Sequence, residues 1–326
     1  MDENLPRKLS TDDVAIGGAG HLFLHNGAHH VYQIASGQRP PLAAAFATFR
    51  RNILGRHATV TANGAQYLHI IFPDKQSVLN RHYVIPNPVC LGEQHLLASP
   101  EVADFVYYPL QELRQDTGDV FFHTDTHLCD RGNILVASNL ATLLTGEDQT
   151  VSLASLLSCL SHAAEYSGDL GARFNPPISH LEQFIRIAWP LAVYSNGLTG
   201  GNNGTADIIF SPQARYRKRV LLVGDSFLRG SMRFLSYFFT ELLFLRSPYF
   251  HEEVFLAMKP DVVVTANVER YLYACLADEK RGAFCMIPHV NELAYAPSKE
   301  FAEAFSAVLS YPRTPYQTFV DKIFSS

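Results

Sequence analysis

The stretch Arg219-Val-Leu-Leu-Val-Gly-Asp-Ser-Phe227 contains an apolar run that follows a basic residue and precedes glycine, aspartate and serine. An unbroken apolar run of this length is typical of a strand that a parallel sheet buries on both faces. A segment with helix-length apolar periodicity follows over 227–245, and Asp261-Val-Val-Val-Thr-Ala-Asn267 is a second apolar run. Strand, helix and strand in this order predict a βαβ unit and therefore an α/β fold.

Shorter patterns elsewhere in the chain agree with an α/β protein. Short apolar runs bounded by turn residues predict strands, and apolar residues at helical spacing predict helices. Further strands are predicted at 20–27, 67–74 and 119–125, and helices at 41–54, 152–166 and 300–309. Residues 192–209 are predicted to form turns with either a strand pair or an insertion.

The composition is that of an ordinary globular protein and argues against several classes. The 326 residues are 47% hydrophobic and carry a formal net charge of −5 without a long basic run, so we do not expect nucleic-acid binding. The five cysteines are scattered without a C-x-x-C pair, which predicts neither a disulfide framework nor a metal site. A polar tail over 1–13 and one domain over 14–326 are expected.

The N-terminus is polar, and no run of 18 apolar residues occurs anywhere in the chain. These features predict neither a signal peptide nor a transmembrane segment. They favour a cytoplasmic location.

The serine of the first apolar run stands where a strand is expected to end and a helix to begin. Ligands bind beyond the carboxyl ends of such strands, and the first N–H groups of a helix lack partners within it. Ser226 would therefore lie among donors that can stabilise an oxyanion, and Gly224 would let a substrate approach closely. The alternative is that Asp225 and Ser226 only cap the helix, since both residue types are common caps.

A second motif supplies the groups that a serine nucleophile needs. Asp125-Thr-His127 follows the apolar run at 119–125. Histidine is the usual base that takes the serine proton, and a carboxylate orients the imidazole and stabilises its charged form. The alternative is that His127 is an ordinary member of the 14 histidines and Asp125 caps a turn. Because both motifs follow expected strands, we expect Ser226, His127 and Asp125 to meet at one edge of the sheet.

With these motifs in this order, the chain resembles the SGNH-hydrolase-like O-acetyltransferases of bacterial exopolysaccharide synthesis, of the alginate acetyltransferase (AlgX/AlgJ) type. That family places an Asp-x-His motif upstream of a Gly-Asp-Ser motif, to which Asp125-Thr-His127 and Gly224-Asp-Ser226 are similar. Three further segments are similar in order and spacing, at 18–24, 71–75 and 260–271. Leu128 stands where the family usually has tryptophan.

The resemblance implies a fold, an activity and partners. The fold would be SGNH-hydrolase-like (flavodoxin-like), a three-layer α/β/α arrangement with a mostly parallel central sheet and insertions. Ser226 would carry the acetyl group, His127 would move the proton and Asp125 would orient His127. The acceptor would be a carbohydrate, and the reaction would need an acetyl donor but no other cofactor. A membrane acetyl-donor protein is the partner it suggests, and a periplasmic location is the alternative to the cytoplasm.

Four residues are candidates for contacts to substrate or oxyanion: Gly224, Asp225, Asn267 and Arg270. An asparagine amide can donate to an oxyanion or hydrogen-bond within its own loop. For Arg270 an ion pair with Glu269 is expected over direct contact with substrate.

Two other functions are compatible with the same residues. A carbohydrate O-acetylesterase would use the same three groups with water as the acceptor. A catalytically inactive carbohydrate-binding or scaffold module would keep the fold without the chemistry, although the intact serine, histidine and aspartate argue against it.

Overall fold

The computed structural model describes residues 11–27, 29–199, 203–291, 293 and 295–309, so residues 1–10 of the predicted tail lie outside the described residues. The strands are β1 (Val14–Ile16), β2 (Leu22–Leu24), β3 (Gln66–Phe72), β4 (Val106–Tyr107), β5 (Leu160–Tyr166), β6 (His180–Ile185), β7 (Ala192–Ser195), β8 (Ala206–Phe210), β9 (Tyr216–Gly224), β10 (Phe239–Arg246) and β11 (Val262–Val268). The α-helices are α1 (Val31–Ala35), α2 (Ala43–Ala62), α3 (Lys75–Val78), α4 (Leu91–Ala98), α5 (Leu110–Gln115), α6 (Asp130–Thr145), α7 (Thr150–Ser158), α8 (Ser226–Leu235), α9 (Glu252–Met258), α10 (Ile287–Val290) and α11 (Lys299–Leu309).

A seven-stranded sheet in the order β4-β3-β11-β9-β10-β8-β7 forms the centre of the fold. The five strands from β4 to β10 run parallel to one another. β8 pairs antiparallel with β10, and β7 pairs antiparallel with β8. The prediction of a mixed α/β fold with a mostly parallel sheet is confirmed, and so is the strand pair within 192–209. β1 pairs with β2 and β5 with β6 in two separate two-stranded sheets.

Residues 227–245 do not form the single long helix that their periodicity suggests. α8 ends at Leu235, and Phe239–Arg246 forms β10 between β9 and β8. The apolar run Leu242-Leu-Phe-Leu245 is completely buried and suits either a buried helix or a buried strand. Hydrogen bonding to two neighbouring strands decides for the strand.

The prediction of a strand over 119–125 is wrong. This segment joins no sheet, and its one ladder contact is the isolated bridge between Phe121 and Leu128. Phe122 N donates to His127 O at 3.3 Å, so the chain folds back on itself as a tight loop before α6. The apolar residues that suggested a strand are nevertheless buried, because Val120 and Phe121 pack into the core.

The predicted helix over 152–166 is correct only in its first half. α7 ends at Ser158, and residues 160–166 form β5, which pairs antiparallel with β6. The side chains of β5 are exposed or half-buried, so their apolar content carries little information about the backbone. The helices predicted at 41–54 and 300–309 are present, the first extended to Ala62.

The central strands contribute alternate side chains to two core clusters. Leu222 and Val264 belong to one cluster, together with residues of α6 and α8. Leu221 and Val263 belong to the other, together with residues of α2, α9 and α11. Because successive side chains of a strand point to opposite faces, the sheet is buried on both faces, as the apolar runs of β9 and β11 predict.

The carboxyl ends of β9, β10 and β11 lie at the same edge of the sheet, since these strands are parallel and Arg246 is in register with Gly224. α8 starts immediately after β9 at this edge. None of the helices in the described parts of the chain is long and apolar enough to cross a membrane.

Candidate active site

The serine turn joins β9 to α8 and is held by Asp225. One carboxylate oxygen of Asp225 accepts from Phe227 N at 3.0 Å and caps α8, and the other accepts from Val268 N at 2.6 Å. Burial raises the pKa of Asp225, against the effect of these hydrogen bonds. Asp225 therefore ties the serine turn to the end of β11. The N-cap that the sequence offered as an alternative is present, but Asp225 alone provides it, and Ser226 is the first residue of the helix.

Gly224 is required at the end of β9 because neighbouring chains approach it closely. A Cβ atom at this position would lie 2.8 Å from Ala266 O and 3.2 Å from the Ala266 Cβ. The first distance is shorter than side chains tolerate, and the opposing atom belongs to the backbone of β11. The glycine thus allows the serine turn to sit against the adjacent strand.

Ser226, His127 and Asp125 form a continuous hydrogen-bonded series. Ser226 Oγ lies 2.8 Å from His127 Nε2, and His127 Nδ1 lies 2.7 Å from Asp125 Oδ1. Asp125 is buried with 4% exposure, whereas the His127 side chain is 33% exposed. Burial by itself would raise the pKa of Asp125, but hydrogen bonds and charge from His127, with a hydrogen bond from Tyr166, lower it well below its usual range.

Two residues that the sequence did not suggest complete the surroundings of Asp125. Tyr166 donates its hydroxyl to Asp125 Oδ2 at 2.7 Å, and Asp169 N donates to the same oxygen at 3.1 Å. The Asp169 carboxylate accepts from Thr126 N and Thr126 Oγ1 at 2.8 and 2.7 Å. Burial, and then the charge of Asp125, raises the pKa of Asp169. No sequence signal pointed to these residues, because their position depends on β5, which was predicted as helix.

A buried lysine holds the loop that carries Asp125. Lys75 Nζ donates to the carbonyl oxygens of Leu22, Phe122, His123 and Asp125 at 2.6–3.0 Å, and the residue is only 3% exposed. Burial lowers the pKa of Lys75 to about 7, against the attraction of nearby carboxylates. The Asp-Lys pair after β3 thus has a structural role.

Solved structures match this fold over most of the chain. The O-acetyltransferase domain of Pseudomonas putida AlgJ matches with a TM-score of 0.52 at 18% identity, covering 86% of this chain and 99% of that one. Bacillus cereus PatB1 with a sulfonyl adduct matches with a TM-score of 0.56 at 11% identity, covering 80% and 99%. A DHHW family protein from Eubacterium siraeum matches with a TM-score of 0.52 at 11% identity, covering 80% and 95%.

The chain shares the fold of these three proteins. At such low identities the likeness establishes the fold alone. No family model and no curated protein matches the sequence.

Asn267 and Arg270 lie away from the cavity onto which Ser226 opens. Asn267 Nδ2 donates to Val268 O at 3.1 Å, and Asn267 Oδ1 lies 3.1 Å from His69 Nε2. The amide is thus engaged with the neighbouring backbone and with β3, and its contact with an oxyanion stays a prediction. Both residues line a second cavity, to which Gly224 and Asp225 also contribute.

The expected ion pair between Arg270 and Glu269 is absent, because Arg270 pairs with Asp74. Glu269 instead accepts from the backbone N–H groups of Asp74 and Gly92 and from the hydroxyls of Ser77 and Tyr108, at 2.6–3.0 Å. Burial, and then the charge of Asp74, raises the pKa of Glu269 to about 7. Glu269 and Arg270 therefore face different neighbours although they are adjacent in the chain.

Ser226 opens into a cavity of about 350 Å³ that Asp125 and His127 also line. Its walls include the aromatic rings of Phe122, Tyr166 and Phe184. Arg229 and Arg233 also line it and pair with Asp207 and Asp130. A serine hydroxyl, an imidazole and an apolar wall thus converge on one space large enough for a small ligand.

Among the described residues, three groups have metal-ligand atoms within 4.8 Å of one another: His21 with Asp119 and His123, His123 with His180 and Glu182, and Asp125 with His127 and Asp169. The rings of His21, His123 and His180 stack at 4.1 and 3.5 Å with interplanar angles of 6° and 16°. The lone pairs of parallel rings run side by side and do not converge on one ion, so this arrangement does not fit a metal site. The third group is occupied by the hydrogen bonds described above.

Proposed function

We propose that this protein is a serine-dependent O-acetyltransferase that acts on a carbohydrate of the bacterial exopolysaccharide type through an acyl-Ser226 intermediate. The proposed catalytic domain spans residues 14–326 and has the SGNH-hydrolase-like three-layer arrangement. The single observation that carries the proposal is the hydrogen-bonded series from Ser226 Oγ through His127 to the buried Asp125. The shared fold with an O-acetyltransferase domain supports the same class of reaction.

In the first half-reaction His127 activates the serine. A neutral imidazole with its proton on Nδ1 donates to Asp125 Oδ1 and accepts the Ser226 hydroxyl proton at Nε2. Ser226 Oγ then attacks the carbonyl carbon of the acetyl donor. The imidazolium returns its proton to the leaving group as the carbon–oxygen bond of the donor breaks. Asp125 keeps its negative charge throughout and stabilises the charged imidazole.

The start of α8 would stabilise the oxyanion of both tetrahedral intermediates. Ser226 is the first residue of this helix, so its backbone N–H lies at the positive end of the helix dipole and is one of the donors without a partner within the helix. Pre-oriented donors of this kind act where negative charge develops in the transition state.

In the second half-reaction a sugar hydroxyl takes the place of the leaving group. His127 removes the proton of the sugar hydroxyl, and the sugar oxygen attacks the acyl carbon. The proton then passes from His127 to Ser226 Oγ as the bond between Oγ and the acyl carbon breaks and the acetylated sugar is released. The aromatic wall of Phe122, Tyr166 and Phe184 offers apolar contact for the sugar ring. The acetyl donor is a separate molecule, and no other cofactor is needed.

The test is turnover of p-nitrophenyl acetate with and without an oligosaccharide acceptor. We expect Ser226→Ala and His127→Ala to abolish turnover, because one removes the nucleophile and the other the base. Ser155→Ala and His162→Ala are matched controls, since both side chains are exposed and contribute to neither cavity. Mass spectrometry should detect an acetylated acceptor and, without acceptor, an acetyl group on Ser226.

The outcomes separate the alternative functions. Turnover that depends on Ser226 but transfers the acetyl group only to water would indicate an esterase. If the folded parent protein neither hydrolyses nor transfers the acetyl group of any of several acetyl esters, and is not acetylated at Ser226, the result would contradict an enzymatic role.

A further inference from the structure

A second cavity lies at the carboxyl ends of β9, β10 and β11. Its volume is about 490 Å³, and it reaches the serine turn at Gly224 and Asp225. Neither Ser226 nor His127 lines it. The proposed chemistry therefore leaves this cavity without a role, although it is larger than the one at Ser226.

Cationic side chains outnumber carboxylates in the wall of this second cavity. Four arginines, Arg39, Arg56, Arg246 and Arg270, line it, and Asp225 is the one carboxylate residue that lines it in the described part of the chain. Asp225 is already occupied, since both of its oxygens accept backbone N–H groups. Arg56 pairs with Asp278 and Arg270 with Asp74, but neither aspartate lines the cavity, so the lining side chains themselves carry more positive than negative charge.

Two of these arginines have donors that lack an acceptor. The Arg270 side chain is 9% exposed, and its Nη1 pairs with Asp74. Its Nε is buried and has no hydrogen-bond partner among the described residues. The Nε of Arg39 is buried and unpartnered in the same way, and its guanidinium lies 4.8 Å from the centre of the Tyr273 ring.

Unpartnered buried donors are rare in folded proteins because each carries the full cost of its desolvation. An oxyanion is the ligand group that satisfies guanidinium donors best, since it supplies both acceptor oxygens and opposite charge. The aromatic rings of Tyr271 and Tyr273 on the same wall offer apolar contact for the remainder of a ligand.

We propose that this second cavity is a binding site for a small organic anion, whose carboxylate or phosphate group is bound by Arg39 and Arg270. The site is separate from the proposed chemistry at Ser226, so it can be tested by binding alone. A carboxylate and a phosphate share the chemistry that the two guanidiniums recognise.

Isothermal titration calorimetry of the full chain with inorganic phosphate, with D-glucuronate and with uncharged D-glucose tests the proposal. We expect at least one anion to bind with a dissociation constant on the order of 1 mM or tighter, and glucose to bind far more weakly. Arg39→Gln should weaken anion binding by about tenfold or more, because hydrogen bonds to charged groups are among the stronger ones. Arg39→Lys keeps the charge but loses the planar fork, and should bind with intermediate affinity.

Arg50→Gln is the matched control, because this arginine has the same charge, is 57% exposed and does not line the cavity. Arg270→Gln should also weaken binding, and a thermal unfolding curve will show whether loss of the Asp74 pair has unfolded it. Binding of phosphate alone would identify a phosphorylated ligand, and binding of glucuronate alone a carboxylate ligand. Binding of neither anion, equal affinity in Arg39→Gln and Arg50→Gln, or equal affinity for glucose would overturn the proposal.

Discussion

Replacement of Asp125 by asparagine tests the hydrogen-bonded series at its most buried member. All four groups that bond to the Asp125 carboxylate are donors: His127 N and Nδ1 to Oδ1, and Tyr166 hydroxyl and Asp169 N to Oδ2. An asparagine side chain has only one acceptor oxygen, so its NH₂ group must replace one of the two carboxylate oxygens and face the donors that bound this oxygen. The Tyr166 hydroxyl can rotate and accept, whereas the backbone N–H groups cannot. We therefore expect the amide to face Tyr166 and the oxygen to remain on His127.

The magnitude follows from this geometry. The Asp169 N–H group is left without an acceptor, which should lower the free energy of unfolding by about 1–3 kcal/mol. The loss in activity should be larger, because no negative charge remains beside the imidazolium. By analogy with other serine–histidine–aspartate enzymes, kcat/KM should fall by about a thousandfold or more, or about 4 kcal/mol in transition-state stabilisation.

Tyr166→Phe provides the matched comparison on the other carboxylate oxygen. This change removes one hydrogen bond at 2.7 Å and leaves the charge of Asp125 intact. A hydrogen bond to a charged group contributes about 1.5–3 kcal/mol, so we expect kcat/KM to fall by roughly tenfold to a hundredfold. The assay is p-nitrophenyl acetate turnover at neutral pH, with urea unfolding to verify that both variants fold. A folded Asp125→Asn protein that keeps more than a tenth of parental kcat/KM, or loses no more than Tyr166→Phe, would refute the assigned role.

Three further predictions concern stability and pH. Gly224→Ala should lower the free energy of unfolding by about 1–3 kcal/mol, because the new Cβ would lie 2.8 Å from Ala266 O. Gly55→Ala, in an uncrowded part of α2, should raise the free energy of unfolding by about 1 kcal/mol. Thermal unfolding of the two variants measures both effects. Lys75→Met should lower the free energy of unfolding by about 3–5 kcal/mol and remove most of the ester turnover, because it removes a donor that four carbonyl groups share, three of them in the loop that carries Asp125. Unchanged turnover would mean that this loop keeps its conformation without Lys75. The pKa of Glu269 is raised to about 7 in the folded protein, so the native state binds this proton more tightly than the unfolded chain does. The protonated carboxyl therefore adds about 3 kcal/mol to the free energy of unfolding below about pH 4.5, and this contribution is lost as the pH rises to about 7. Urea unfolding over this range should show the decline in the parent, and an equal decline in Glu269→Gln would contradict the prediction.

The sequence by itself determined two of the central strands, β9 and β11, and the two motifs. The apolar runs of β9 and β11 identify strands buried on both faces, because each run is short and is bounded by charged and turn residues. The position of Gly224-Asp-Ser226 at the end of β9 follows directly, since a strand and the helix after it are adjacent in the chain. These inferences depend on local periodicity and on residues only a few positions apart.

Tertiary structure alone decided the features that depend on distant partners. Phe239–Arg246 became a strand because β9 and β8 supply its hydrogen bonds on both sides, although its apolar run also suits a helix. The loop at 119–125 delivers Asp125 without joining the sheet, because Lys75, about 50 residues away, binds its carbonyl groups. Arg270 pairs with Asp74 across 196 positions, not with its neighbour Glu269. The choice among several possible partners is made by burial and packing, which periodicity along the chain does not encode.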